Sequence, residues 1–289
     1  MGELEGMSAR RFAVVGSPVE HSLSPVLHTA AYEQLGIKDA VYERHDVPAG
    51  SLVDFLETGQ GRELRGLSVT MPGKPEAFAL ATEHDETSLR LGISNTLLRT
   101  GSGWRAENHD VHGIVAALQD HGVTEIRSGG VLGPGATALS AAAALLHLGA
   151  RTLLLSARSP HKLLPLEQLA RDHHAAVEHV PWERHHEVLA AEAVISALAI
   201  DGARAVAAQW RQQGRLALPE VLLDVLYDPW PAPIAAVVQQ AGGEVADGLE
   251  MLAHQADMQL RSMLGIPAAP VPQMLAAARA ELGRRRPPV

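Results

Sequence analysis

Three stretches of this chain carry side chains that could do chemistry. In Ser68-Val69-Thr70-Met71-Pro72-Gly73-Lys74, apolar and β-branched residues lead into a Pro-Gly turn, and a lysine follows at once. Lys38, Lys74 and Lys162 are the only lysines among 24 lysine and arginine residues. Arginine keeps its proton near neutrality, whereas lysine can exchange it once its charge is partly desolvated. Lys74 on a stiff turn is a candidate acid/base; a solvated loop lysine is the plainer reading. In His21-Ser22-Leu23-Ser24-Pro25, Ser24 followed by Pro25 has the pattern of a helix N-cap and first helical residue. Two hydroxyls feeding a helix N-terminus also suit a carboxylate ligand. In Val131-Leu132-Gly133-Pro134-Gly135-Ala136-Thr137, a short strand runs into a glycine-rich turn ahead of an apolar helix, the context of a dinucleotide loop. The next strand ends in Ala157-Arg158-Ser159. An acid there would bind an adenosine 2′-hydroxyl, while an arginine accommodates a 2′-phosphate, so the pattern favours NADP over NAD.

The elements that must position these residues read as α/β. Strands are expected at 11–16, 41–45 and 64–70, with helices over 26–35, 51–57 and 76–87. A hairpin pairs 94–99 with 104–107, delivering Asn95 at the start of one strand and Asn108-His109-Asp110 at the end of its partner. A helix over 111–121 opens a second rhythm: strand, glycine turn, helix over 141–148, and strands at 152–156, 193–196, 221–225 and 244–247. A helix over 234–241 lies between the last two. Helices over 249–282 are expected to pack back on the first domain. The expectation is an N-terminal α/β domain of residues 1–110, completed by 249–289, and a Rossmann-like, doubly wound domain of 111–248.

Composition narrows the function classes. With 46% hydrophobic residues the chain can bury a full core, and a net charge of −9 argues against a nucleic-acid binder. The basic run Arg284-Arg285-Arg286 reads as a solvated tail. There are no cysteines, and the 15 histidines show no metal-ligand spacing; His173-His174 and His185-His186 are adjacent, so their side chains diverge on a helix. No metal is expected. The polar start shows no signal peptide and the longest apolar run, 141–148, is too short to span a bilayer, so a cytoplasmic protein without membrane partners is expected.

Taken together, these motifs resemble the shikimate dehydrogenase family over roughly residues 11–270. His21-Ser22-Leu23-Ser24-Pro25 resembles its substrate-carboxylate loop, and Val69-Thr70-Met71-Pro72-Gly73-Lys74 its catalytic-lysine turn. Ser94-Asn95-Thr96 and Asn108-His109-Asp110 stand where the family has Val-Asn-Thr and Asn-Thr-Asp. Gly133-Pro134-Gly135-Ala136 takes the place of the cofactor loop, and Ala157-Arg158-Ser159 that of the NADP selector. Asp224-Val225-Leu226-Tyr227 and the run from Gly248 to Gln255 match two late motifs.

The resemblance implies reversible reduction of 3-dehydroshikimate to shikimate by NADPH in aromatic amino acid biosynthesis, in a cleft between the domains, by a monomer or homodimer. It assigns Lys74 as acid/base and Asp110 as the group that orients it. Ser22, Ser24 and Tyr227 would hold the carboxylate, and Thr70, Asn95 and Gln255 the ring hydroxyls and carbonyl. Gly133, Pro134, Gly135, Ala136, Thr137, Ala157, Arg158, Ser159, Val225 and Gly248 would bind the cofactor. Departures are visible. Ser68 replaces an asparagine, and His109, a side chain type that changes charge near neutral pH, replaces a threonine. Pro134 has no N–H for a phosphate, Ala136 adds a methyl where glycine is usual, Ala157 replaces an asparagine, and Ser196-Ala197-Leu198 stands for Asn-Ala-Thr. The competing readings are an NAD-preferring quinate/shikimate dehydrogenase, a shikimate-binding paralogue with weak turnover, and a folate-linked dehydrogenase of similar form.

Overall fold

The computed structural model describes residues 9–213 and 215–285. The chain forms two compact units: residues up to His109 together with those from Gln255 onward, and Asp110–His254.

In the first unit, β1 (Arg10–Gly16), β2 (Ala40–Asp46) and β3 (Leu64–Val69) alternate with α1 (Ser24–Leu35) and α2 (Leu52–Glu57). Next come α3 (Lys74–Leu80), β4 (Glu83–His84), α4 (Glu86–Leu91), β5 (Thr96–Thr100) and β6 (Gly103–Glu107). The sheet order is β2-β1-β3-β5-β6-β4. β1 runs parallel to both neighbours, and β5 is antiparallel to β3 and β6. The C-terminal ends of β1 and β3 and the start of β5 therefore share one edge. The apolar residues of the strands explain the packing: Ala13, Val15, Leu64, Leu67, Leu97 and Trp104 are buried in one cluster with Leu52 and Leu56 of α2.

Three expectations are corrected here. The helix over 76–87 is two helices. Thr82 donates its N–H to the Trp104 carbonyl (2.9 Å), Glu83 and His84 pair with β6, and the Asp85 carboxylate accepts the Ser88 N–H (2.7 Å) to cap α4. Ser24 is not the N-cap of α1. Leu23 takes that place, its carbonyl accepting the Leu27 N–H, so Ser24 is the first helical residue. Arg284 and Arg285 are exposed, as expected, but do not lie in a tail: they end α11 (Val271–Arg285) and pair with Glu281, and Arg285 donates to the His21 carbonyl (2.8 Å). Arg286 lies outside the described residues.

In the second unit, α5 (Asp110–Asp120) precedes β7 (Ser128–Leu132), α6 (Ala136–His147) and β8 (Thr152–Ser156). Then come α7 (Leu164–Asp172), β9 (Ala176–His179), β10 (Ala193–Ser196), α8 (Ile200–Trp210), β11 (Val221–Asp224), α9 (Pro233–Gln240) and β12 (Val245–Asp247). α7, β9 and α8 are elements the sequence reading does not place. The sheet is wholly parallel in the order β12-β11-β10-β7-β8-β9. Read from β9, this is the doubly wound dinucleotide-binding order, with its switch point between β7 and β10. α10 (Gly248–Leu264) begins in this unit and its later turns belong to the first. No helix among the described residues is long and apolar enough to cross a membrane.

Candidate functional site

In the first unit the expected residues gather at the shared sheet edge. Lys74 opens α3 after the turn and is buried, and its carbonyl accepts the Ser94 N–H (3.1 Å). The Asn95 carbonyl in turn accepts the Val69 N–H (2.7 Å). Ser17 donates its N–H to the Met71 carbonyl (2.9 Å), bringing the loop that carries Ser22 and Ser24 beside the Thr70–Met71 turn. Both serines are buried, with hydroxyls 3.3 Å apart. Gln255 accepts from the Asn95 amide at 3.5 Å, a long contact. Ser22, Ser24, Thr70, Lys74, Asn95 and Gln255 thus belong to one unit; Asp110 and Tyr227 belong to the other. Asp110 is the buried first residue of α5 and follows directly on His109, whose N–H donates to Asn95 Oδ1 (3.0 Å).

Several contributors are invisible in the sequence reading. Arg44 on β2 donates to the Ser22 carbonyl (2.7 Å) and so places a cation behind the two serines. His28 of α1 is fully buried and stacked on Tyr42 at 3.8 Å, and burial lowers its pKa to about 3, so it stays neutral. Glu107 is also buried. Burial pushes its carboxyl up, but His109 (2.9 Å), Ser262 (2.7 Å) and the charge of Arg105 outweigh that, leaving it below the ordinary carboxylate range. His109 is therefore tied to a carboxylate through Nε2.

In the second unit the expected cofactor residues converge on the C-terminal ends of β7, β8, β10 and β11. The Gly133 N–H donates to the Ser156 carbonyl (2.9 Å), the Ala197 N–H to Leu132 (2.9 Å) and the Val225 N–H to Ser196 (3.0 Å). Gly133 has φ +110°, and a Cβ there would lie 2.8 Å from the Ala197 carbonyl oxygen. A Cβ on Gly248 would lie against the Val225 carbonyl oxygen. At Gly135, the N-cap of α6, a Cβ would meet nothing, and Gly135 is exposed while Pro134, Ala136 and Thr137 are partly so. The loop therefore offers an open cradle at a helix N-terminus, where amides after Pro134 can face a phosphate. Ala157 is buried; Arg158 beyond it is exposed and makes no ion pair among the described residues. These residues fit a phosphorylated dinucleotide. Behind them, Asp224 is fully buried, its Oδ1 accepting the Leu226 N–H (3.2 Å), and burial pushes its pKa up to about 7. Among the described residues no group of histidines and acids could hold a metal.

Comparison with known proteins agrees with this layout. Residues 14–97 match the model of the shikimate dehydrogenase substrate binding domain. The chain is 32% identical over 84% of its length to "Shikimate dehydrogenase (NADP(+))" of Rhizobium meliloti, covering 85% of that protein. It is 34% identical over 88% of its length to the protein of the same name from Hyphomonas neptunium, covering 91% of it. Among solved structures, Mycobacterium tuberculosis shikimate dehydrogenase superposes with a TM-score of 0.82 at 38% identity, over 94% of this chain and 99% of that one. The Thermus thermophilus enzyme in complex with NADP(H) and shikimate superposes at 0.77 with 28% identity, over 94% and 99%. With a doubly wound sheet in one unit, a lysine-bearing turn in the other, and this identity along nearly its whole length, the chain belongs to the shikimate dehydrogenase family.

Proposed function

We propose that the chain catalyses the reversible NADPH-dependent reduction of 3-dehydroshikimate to shikimate, a step of aromatic amino acid biosynthesis, in the cytoplasm. Residues 1–110 with 249–289 form the substrate domain, and 111–248 the NADP domain. The observation that carries this reading is the convergence of Ser22, Ser24, Thr70, Lys74 and Asn95 on one sheet edge of the first unit.

NADPH, when bound, supplies the hydride to the ketone carbon. The protein's own work is to bind, orient and move a proton. Hydride arrival puts negative charge on the former carbonyl oxygen, and Lys74 as ammonium donates a proton to it; in the reverse direction neutral Lys74 takes the proton from the hydroxyl. Asp110 orients the ammonium. The substrate carboxylate lies on the Ser22 and Ser24 hydroxyls at the start of α1, where the helix dipole and Arg44 behind Ser22 favour an anion, with Tyr227 as a further donor. Thr70, Asn95 and Gln255 bond the ring oxygens. Amides of Gly135, Ala136 and Thr137 take the pyrophosphate and Arg158 the 2′-phosphate, with Ser159, Val225 and Gly248 lining the rest. Lys74→Ala should lower kcat by about a hundred- to ten-thousand-fold while shikimate affinity, measured by calorimetry, changes little. Near-normal turnover in that variant removes Lys74 from the mechanism.

A further inference from the structure

We infer that a hydrogen-bond chain running from Tyr42 to Asn95 fixes the Asn95 side chain as a donor to substrate, so that the site takes a hydroxyl there and rejects an ammonium. This rests on the proposed role of Asn95 in binding a ring oxygen.

The direction of every bond in the chain follows from two groups that have no choice. A backbone N–H only donates, and the His109 N–H lies 3.0 Å from one terminal atom of Asn95, which must therefore be Oδ1. A backbone carbonyl only accepts, and the Asn95 carbonyl lies 3.2 Å from one terminal atom of Gln259, which must be Nε2. The same Nε2 donates to Thr96 Oγ1 (3.0 Å), so the Thr96 proton is left for Asn95 Oδ1 (2.9 Å). Gln259 Oε1 accepts from Ser68 Oγ (2.8 Å), and Ser68 Oγ accepts from Tyr42 Oη (2.5 Å). Burial holds the Tyr42 phenol above the ordinary tyrosine range, so it remains a donor. Ser68, Asn95, Thr96 and Gln259 are all 4% exposed or less, so bulk solvent does not compete for these bonds.

The consequence is chemical. Asn95 Oδ1 takes two donors, the Thr96 hydroxyl and the His109 amide, which occupy both its lone pairs. Turning the amide over would set N–H against N–H and O–H. Whatever else Nδ2 touches, it faces a ligand only as a donor. A hydroxyl oxygen accepts from it. An ammonium has three donors and no acceptor, so the same position sets donor against donor. Gln259 and Thr96 are positioning residues in this scheme, and Ser68 links them to Tyr42.

The test uses the full chain with NADP and compares shikimate with its two amino analogues, in which an ammonium replaces one or the other of the hydroxyls that do not react. The wild type is expected to use at least one analogue ~100-fold less efficiently in kcat/KM than shikimate. Thr96→Val removes one of the two donors that hold Oδ1 and leaves only the His109 amide to oppose a turned side chain, so that gap is expected to narrow, with Thr96→Ser restoring it. Gln259→Leu, which acts on the same chain from the other side, is expected to narrow the gap in the same direction. A wild type that uses both analogues as well as shikimate, or a Thr96→Val enzyme with the gap intact, overturns the inference. The side-chain ¹⁵N resonances of Asn95 give a readout without turnover: they are expected to shift in Thr96→Val and not in Thr96→Ser. A chain that turns over none of the compounds but shows those shifts loses the proposed reaction and keeps the fixed amide. Resonances that ignore Thr96→Val overturn the inference whatever the activity.

Discussion

Asp224 offers a perturbation whose size follows from its surroundings. Its carboxyl ends β11 in the interior of the second unit, with Oδ1 on the Leu226 N–H, and hydrogen bonding from Leu226, Ala235 and Ser196 offsets only part of the cost of burial. Burial raises its pKa from 3.8 to about 7. The sign follows from proton binding: between these values the folded state holds a proton that the unfolded state has released, so stability falls as pH rises. The stability is fully present below pH 3.8 and gone above pH 7. About three pH units at roughly 1.36 kcal/mol each give a total on the order of 4 kcal/mol, of which about 3 kcal/mol lies between pH 5 and 8. Asp224→Asn keeps the shape and removes the titration. Urea unfolding of both proteins across that range isolates the effect from every other titrating group. The asparagine variant should gain on the wild type by about 3 kcal/mol on going from pH 5 to pH 8. Stability curves that run parallel would refute the neutral buried carboxyl.

Two further outcomes follow from the cofactor edge. Gly133→Ala sets a methyl 2.8 Å from the Ala197 carbonyl oxygen at a backbone angle of φ +110°, and should lower unfolding stability by about 1–3 kcal/mol and weaken NADP binding by calorimetry; an unchanged melting temperature would contradict the close approach. Arg158→Ala should raise KM for NADP far more than KM for NAD, because only NADP carries the 2′-phosphate that the exposed guanidinium is proposed to meet, and equal losses would end its role as selector.

The parts of the fold that the sequence discloses are those made by local chemistry. Short apolar and β-branched runs give β1, β3, β7 and β8, and the Pro-Gly turn before Lys74 and the glycine turn after β7 each mark the end of a strand that carries candidate residues. What stays hidden depends on partners far along the chain. Asp85 caps α4, and residues 82–84 are claimed by β6, so a helical pattern over 76–87 is cut by strand pairing that no local rule contains. Arg44 reads as an ordinary strand residue until its contact with the Ser22 carbonyl is seen. Gln259 lies one turn after Gln255 on the same helix, a spacing that hints at a shared face, but its bonds reach 163, 164 and 191 residues back. Ser68, a plain substitution in the sequence, is the partner that such a glutamine needs.

The most direct test of the account is absorbance at the nicotinamide band with purified protein, shikimate and either NADP or NAD, run beside Lys74→Ala. The account predicts rapid reduction of NADP by shikimate, weak reduction of NAD, and a near-flat trace for the lysine variant. No reduction with either cofactor, while shikimate still binds by calorimetry, would contradict it and make the chain a binding member of its family.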